Sequence, residues 1–410
     1  MTALAALLDE FKPGRTIILP GATGELTILQ EALAAEPDRL RGVHLVCPLI
    51  AGINRFDYAA LHPEVRLTSF MMSPALRASF DAGRVRILPL PYSAIARYIA
   101  SLEADLAILH LTPLQAGQYS FGVSADFGPL AALRAKRRFG VVNAAAPRPT
   151  RSATIAAADV DATIDVEQPL FTAPADTLSP EVATLARHVA DLIPDGAAIQ
   201  TGIGAAPTAI WAALHDRSGL RLRSGMVTDG FLAAHDAGAT REDDHVAGIA
   251  YGNARLYQRL DASGLVRFAH AGETHGHALD GLERLFAINS ALDVDLFGQA
   301  NLEWQSGRLV SGVGGAPDFG RAARASKGGR SIIALPATAR GGTISRIVVR
   351  LSSPAPSLPR GETDIIVTEY GAAHLSELDI DGRAEALIAV AAPAFREGLA
   401  REWHELRKTI

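Results

Sequence analysis

Residues 197–230, AAIQTGIGAAPTAIWAALHDRSGLRLRSGMVTDG, read without interruption as strand, glycine turn, helix, strand and second turn. The run 197–201 is apolar and of strand length, Gly202-Ile203-Gly204 supplies a tight turn, and Pro207 falls in a first helical turn, where a missing N–H is tolerated. Ile210, Trp211, Ala213 and Leu214 continue at helical spacing. A glycine turn that feeds a helix start presents free backbone N–H groups at the positive end of the helix dipole, which suits an anionic or developing-negative oxygen. Taken alone the turn is a weak signal. Pro207 stands at the third glycine position of a G-x-G-x-x-G fingerprint, and closing a strand-to-helix connection is the commoner duty of such glycines.

Outward from this unit, TIILPG, VHLVCP, VRLTSF, VRILPL and LAILHLTP in the first half are strand-like runs separated by helical patterns. The alternation predicts a mostly parallel sheet covered on both faces. FGVSADFGP, with its Gly-x-Ser-x-Asp, and VVNAAAPRPT are expected as loops at strand ends, where such sheets bind ligands. At 410 residues the chain exceeds one ordinary core. The segment QPLFTAPADTLS, 168–179, gathers Pro, Thr, Asp and Ser, and so predicts a linker between an α/β domain at 1–175 and a second at 176–410. A helix from Pro180 to Ile193 and strands in FAINSALDVDL, RSIIALP, RIVVRL and DIIVTEYG belong to the second.

The net charge of −5 is small for this length and the basic residues are scattered, which argues against a nucleic-acid or membrane surface. MTALAALLDEFKPGRT carries Asp9 and Glu10 in its first apolar stretch and reads as an amphipathic helix, with no basic leader. No apolar run reaches the roughly 18 residues of a membrane span. Cys47, the one cysteine, is expected as a buried strand residue, and a cytoplasmic location fits.

A serine hydrolase needs a G-x-S-x-G elbow, which the chain lacks. His270, Glu273, His275 and His277 in HAGETHGH have the spacing of metal ligands but no patterned helix to hold them, so a solvated loop is expected and no metal site. Asp293 and Asp295 alternate along a strand. They are expected to cap turns sooner than to form a carboxylate pair.

IQTGIGAAPTAI, MVTDGFLAAHDAG, FAINSALDVDLFGQAN, SGVGGAPDF, SKGGRSIIALPATARGGTISRIV, VTEYGAAHL and PAFREGL follow one another in the order of a known family. The chain resembles the acetyl-CoA hydrolase/transferase family, the branch of CoA-transferases that acts on 4-hydroxybutyrate, butyrate and succinate. The resemblance implies two open, mostly parallel α/β domains of the CoA-transferase type with the active site in the cleft between them. It implies a homo-oligomer and an acyl-CoA or carboxylic acid as substrate, with no covalently held cofactor. It also places Gly202, Ile203, Gly204, Ala205, Ala206, Ser311, Gly315 and Arg340 at the CoA site, with the backbone N–H groups of Ile203 and Gly315 as oxyanion donors.

The same resemblance puts a nucleophilic glutamate at position 225, and this chain reads Ser224-Gly225-Met226. Glycine has no side chain to carry an acyl group or a thioester, so the ping-pong route loses its central part. The expected activity is therefore of hydrolase or lyase type on the retained oxyanion site. The alternatives are a conventional transferase with a relocated carboxylate, for which Glu273, Asp293 and Glu369 are candidates, and a non-catalytic CoA-binding partner. Ala316-Pro317 and Ser376-Glu377 depart from the family pattern and predict a reshaped acyl pocket. Three further expectations follow: vacated space at Gly225 that holds water or a larger acyl group, weak transferase activity in Gly225→Glu, and, in Gly204→Ala, a fold little changed while close approach of a ligand is obstructed.

Overall fold

Short strands that end at proline or glycine build a seven-stranded sheet in the first half of the computed structural model, which describes residues 3–174 and 177–410. They are β1 (Thr16–Ile18), β2 (His44–Val46), β3 (Arg66–Ser69), β4 (Val85–Ile87), β5 (Leu106–Leu111), β6 (Arg138–Asn143) and β7 (Ala162–Val166), in the order β4-β3-β2-β1-β5-β6-β7. Every neighbouring pair is parallel. All six residues of β5 are buried, as an unbroken apolar strand covered on both faces must be. The five runs read as strands in this half each contain one, and Cys47 is buried just beyond β2.

The second sheet has six strands: β8 (Ala198–Thr201), β9 (Arg221–Leu222), β10 (Leu285–Asn289), β11 (Arg330–Ala334), β12 (Ile365–Thr368) and β13 (Gly371–His374). Their order is β9-β8-β10-β11-β12-β13, parallel throughout except for the final hairpin. Helix Pro180–Ala190 precedes β8, with Ser179 capping it through a bond from the N–H of Val182. The fold is thus the mixed α/β arrangement with large, mostly parallel sheets that the alternation predicts. The expected boundary at 175/176 lies outside the described residues.

One apolar core takes Ile18, Leu109 and Val142 from the first sheet and Ile199, Ile288 and Val367 from the second. The two halves therefore hold each other in a fixed relation. Residues just past the C-terminal ends of β2, β3, β8 and β10 come to one place, the usual ligand position of open parallel sheets. Among the described residues no helix is long and apolar enough to cross a membrane.

Candidate active site

Thr201 ends β8, and the chain turns through Gly202-Ile203-Gly204 into helix Ala205–Ala213. Gly204 has φ 102° and ψ −177°, a backbone state that essentially only glycine holds without strain. The indole Nε1 of Trp211 donates to Thr201 Oγ1 over 3.1 Å, which ties the helix to the strand end that feeds it. A second turn, 311–315, is bound to the first half: Met72 N–H donates to Ser311 O (3.2 Å) and Tyr92 N–H to Gly314 O (3.1 Å). Ser93 N–H and Oγ both donate to Asp318, at 2.8 and 2.6 Å. Gly312 has no freedom to change, since a Cβ there would stand 2.7 Å from the carbonyl oxygen of Phe70.

These turns close a cavity of about 410 Å³. Its walls are largely apolar, lined by Ile50, Met71, Ile249, Leu292, Leu302 and Val313 among others. Gly202, Ile203, Gly225, Ser311 and Gly315 all line it. Gly204, Ala205, Ala206 and Arg340 do not, and Arg340 is exposed in the hairpin that joins Thr338–Ala339 to Ile344–Ser345. The N–H groups of Ile203 and Gly315 have no hydrogen-bond partner among the described residues, so two free donors border one hollow.

Position 225 is held firmly. Its carbonyl accepts from the N–H groups of Gly248 and Ile249 at 3.0 and 3.1 Å, and the neighbouring Ser224 hydroxyl donates to Thr201 O over 3.0 Å. On one side it meets the imidazole of His275, which also lines the cavity. A Cβ on Gly225 would lie 3.1 Å from His275 Cε1 and 3.2 Å from Nε2, and a Cβ on Gly315 would lie 2.6 Å from the same Nε2. The ring is tilted against Tyr92 and edge-on to Phe319, both with centroids 4.8 Å away. His275 Nδ1 is 2.8 Å from the hydroxyl of Thr274, while Nε2 has no hydrogen-bond partner among the described residues. Burial pushes the imidazole down to about 3, so it is neutral at ordinary pH.

The solvated loop expected at HAGETHGH is thereby corrected for its third member. Residues Ala271–Thr274 form a single helical turn whose first N–H donates to Asp126 O (2.6 Å), and this anchor draws His275 inward. His277 remains exposed against Asp280, and His270 meets Glu273 at 3.2 Å. Among the described residues, no three His, Cys, Asp or Glu side chains are grouped to hold a metal ion.

The three candidates for a relocated carboxylate also stand elsewhere. Glu273 is exposed and paired with Arg267 (2.7 Å), Asp293 accepts from Asn301 Nδ2 (2.8 Å), and Glu369 accepts from the N–H of Ala337 (2.8 Å). Asp295 caps a turn through the N–H groups of Phe297 and Gln299, as expected. Ser376 bonds Asp364 over 2.6 Å, so the Ser376-Glu377 departure reshapes a hollow other than this cavity. The carboxylate that does line the cavity is Asp126, from the Gly-x-Ser-x-Asp loop. Its Oδ1 accepts from Phe127 N–H (2.9 Å), its Oδ2 is buried with no partner among the described residues, and burial pushes the acid up to about 7. Arg346 is the cation of the lining, half-buried, with desolvation lowering its pKa.

Comparison with known proteins adds the following. The acetyl-CoA hydrolase/transferase C-terminal domain matches residues 252–403. The 4-hydroxybutyrate coenzyme A transferase of Clostridium kluyveri is 31% identical over 399 residues, covering 94% of this chain and 93% of that protein. A succinyl-CoA:cyclohexane-1-carboxylate CoA transferase of Geobacter metallireducens is 29% identical over 404 residues, covering 94% of this chain and 90% of that protein. Among solved structures, RipA from Yersinia pestis superposes with a TM-score of 0.89 at 28% identity, covering 99% of this chain and all of that one (100%). The 4-hydroxybutyrate CoA-transferase of Porphyromonas gingivalis gives 0.82 at 27% identity, covering 100% and 97%.

Proposed function

The chain belongs to the acetyl-CoA hydrolase/transferase family of CoA-transferases, and from that premise we propose that it hydrolyses an acyl-CoA thioester by direct attack of water. The observation that carries the reading is the pairing of two unpartnered backbone donors, Ile203 and Gly315, with a position 225 that has no side chain to form an enzyme-bound intermediate. Donors fixed before the reaction stabilise the oxyanion of the tetrahedral intermediate without reorganising, and the loss of one such donor costs about 10²–10³ in rate. The apolar walls suit the acyl chain, and Arg346 suits an acyl group that ends in a carboxylate. Thiol release from acetyl-, butyryl- and succinyl-CoA with no acceptor acid present tests the reading. Release only when a carboxylic acid is added would replace hydrolysis by transfer.

Asp126 supports one second reading. As a cavity carboxylate with one free oxygen, it is the group through which a conventional transferase would run if the nucleophile had moved. Exchange of CoA between succinyl-CoA and acetate, abolished in Asp126→Asn, would select that reading.

A further inference from the structure

We propose that His275 is the general base of this site: its Nε2, unpartnered between Gly225 and Gly315, takes the proton of the attacking water. The inference rests on the hydrolase reading and names the group that performs its first step. Three observations support it. The ring fills the place where a side chain on residue 225 would begin, beside a donor of the proposed oxyanion pair. It is packed against both Tyr92 and Phe319, with ring centroids 4.8 Å away, which restrains its rotation. Nδ1 lies 2.8 Å from the Thr274 hydroxyl, and the neutral tautomer that donates there leaves the lone pair on Nε2.

The step balances. Water gives a proton to Nε2 as its oxygen bonds to the thioester carbonyl carbon, and the carbonyl oxygen becomes the oxyanion held by the N–H groups of Ile203 and Gly315. Collapse breaks the C–S bond, and the imidazolium returns the proton to the leaving sulfur, giving the carboxylic acid and the free thiol. In the first half of this cycle a positive imidazolium and a negative oxygen appear together, so the buried cavity gains no net charge. That pairing lets a ring whose free-state protonation is suppressed by burial act as a base.

The test uses the full chain, thiol release from the best acyl-CoA, and affinity for a non-hydrolysable thioether analogue measured separately. His275→Gln keeps the bulk and loses the base, and a roughly 10²–10⁴-fold fall in kcat is expected with analogue affinity changed by less than about 3-fold. His275→Ala opens an imidazole-sized space onto the cavity, and added imidazole is expected to restore part of its turnover. Parental turnover in His275→Gln overturns the inference alone. So does an acyl adduct on the parent protein that maps to His275, since the ring would then be a nucleophile. A parent that hydrolyses no thioester overturns the hydrolase reading and this inference with it.

Discussion

The imidazole of His275 lies against Gly225 so closely that a single added carbon would stand 3.1 Å from its Cε1. That contact is tighter than ordinary packing, so a glutamate at 225 requires the ring to give way. Gly225→Glu alone is therefore expected to form no enzyme-CoA thioester, contrary to the simple rescue expected from sequence. Gly225→Glu combined with His275→Ala is expected to form one, seen as an adduct by intact mass after incubation with succinyl-CoA. An adduct in the single variant equal to that in the double would show that His275 does not occupy the glutamate's place.

Gly315 is under the same constraint from the other side. Its Cβ would meet His275 Nε2 at 2.6 Å, and the ring has Tyr92 and Phe319 at its other faces. Gly315→Ala is expected to cost about 1–3 kcal/mol in denaturant unfolding and to lower kcat. Unchanged stability would mean that the ring can swing away freely.

At Gly204 the constraint is conformational. Among the described residues no atom lies within 4 Å of an added Cβ, but φ 102° is a conformation that L side chains rarely adopt. Gly204→Ala is expected to lose about 1–3 kcal/mol through strain, which amends the expectation of a little-changed fold, and to lower turnover by shifting the Ile203 N–H. A melting temperature and a kcat both equal to the parent's would contradict this.

Buried acids give a pH dependence with a defined sign. Burial raises Asp126 from its ordinary 3.8 up to about 7, and Glu25 from 4.5 up to about 7. A folded pKa above the unfolded one contributes stability that is complete below the unfolded pKa and is lost as pH rises through 7. Asp126→Asn, which never ionises, is expected to gain stability relative to the parent as pH rises from about 4 to about 7, on the order of a few kcal/mol. His110 and His245, pushed down to about 4, act in the opposite sense as pH falls below 6.5, and being common to both proteins they cancel. Parallel urea midpoints across this range would refute the shift at Asp126.

The sheets were legible in sequence because parallel strands buried on both faces read as short apolar runs ended by proline or glycine, as Leu106–Leu111 does. The glycine turn was legible because strand, turn and helix are contiguous there. His275 was not, since HAGETHGH has no period and its burial depends on Asp126, 145 residues before Ala271, accepting from Ala271 N–H. The available signal lay in the resemblance alone: a glycine where a glutamate is expected leaves room that a neighbouring side chain can take. Arg346 was hidden in RIVVRL, which reads only as strand, and Asp126 was placed on a strand-end loop without its chemistry.

Intact-mass measurement on protein quenched during steady turnover of an acyl-CoA, with thiol release followed in the same sample, tests direct water attack most directly. Continuous thiol release is expected while the protein keeps its unmodified mass throughout. A species heavier by CoA or by the acyl group, formed and consumed at the turnover rate, would contradict it.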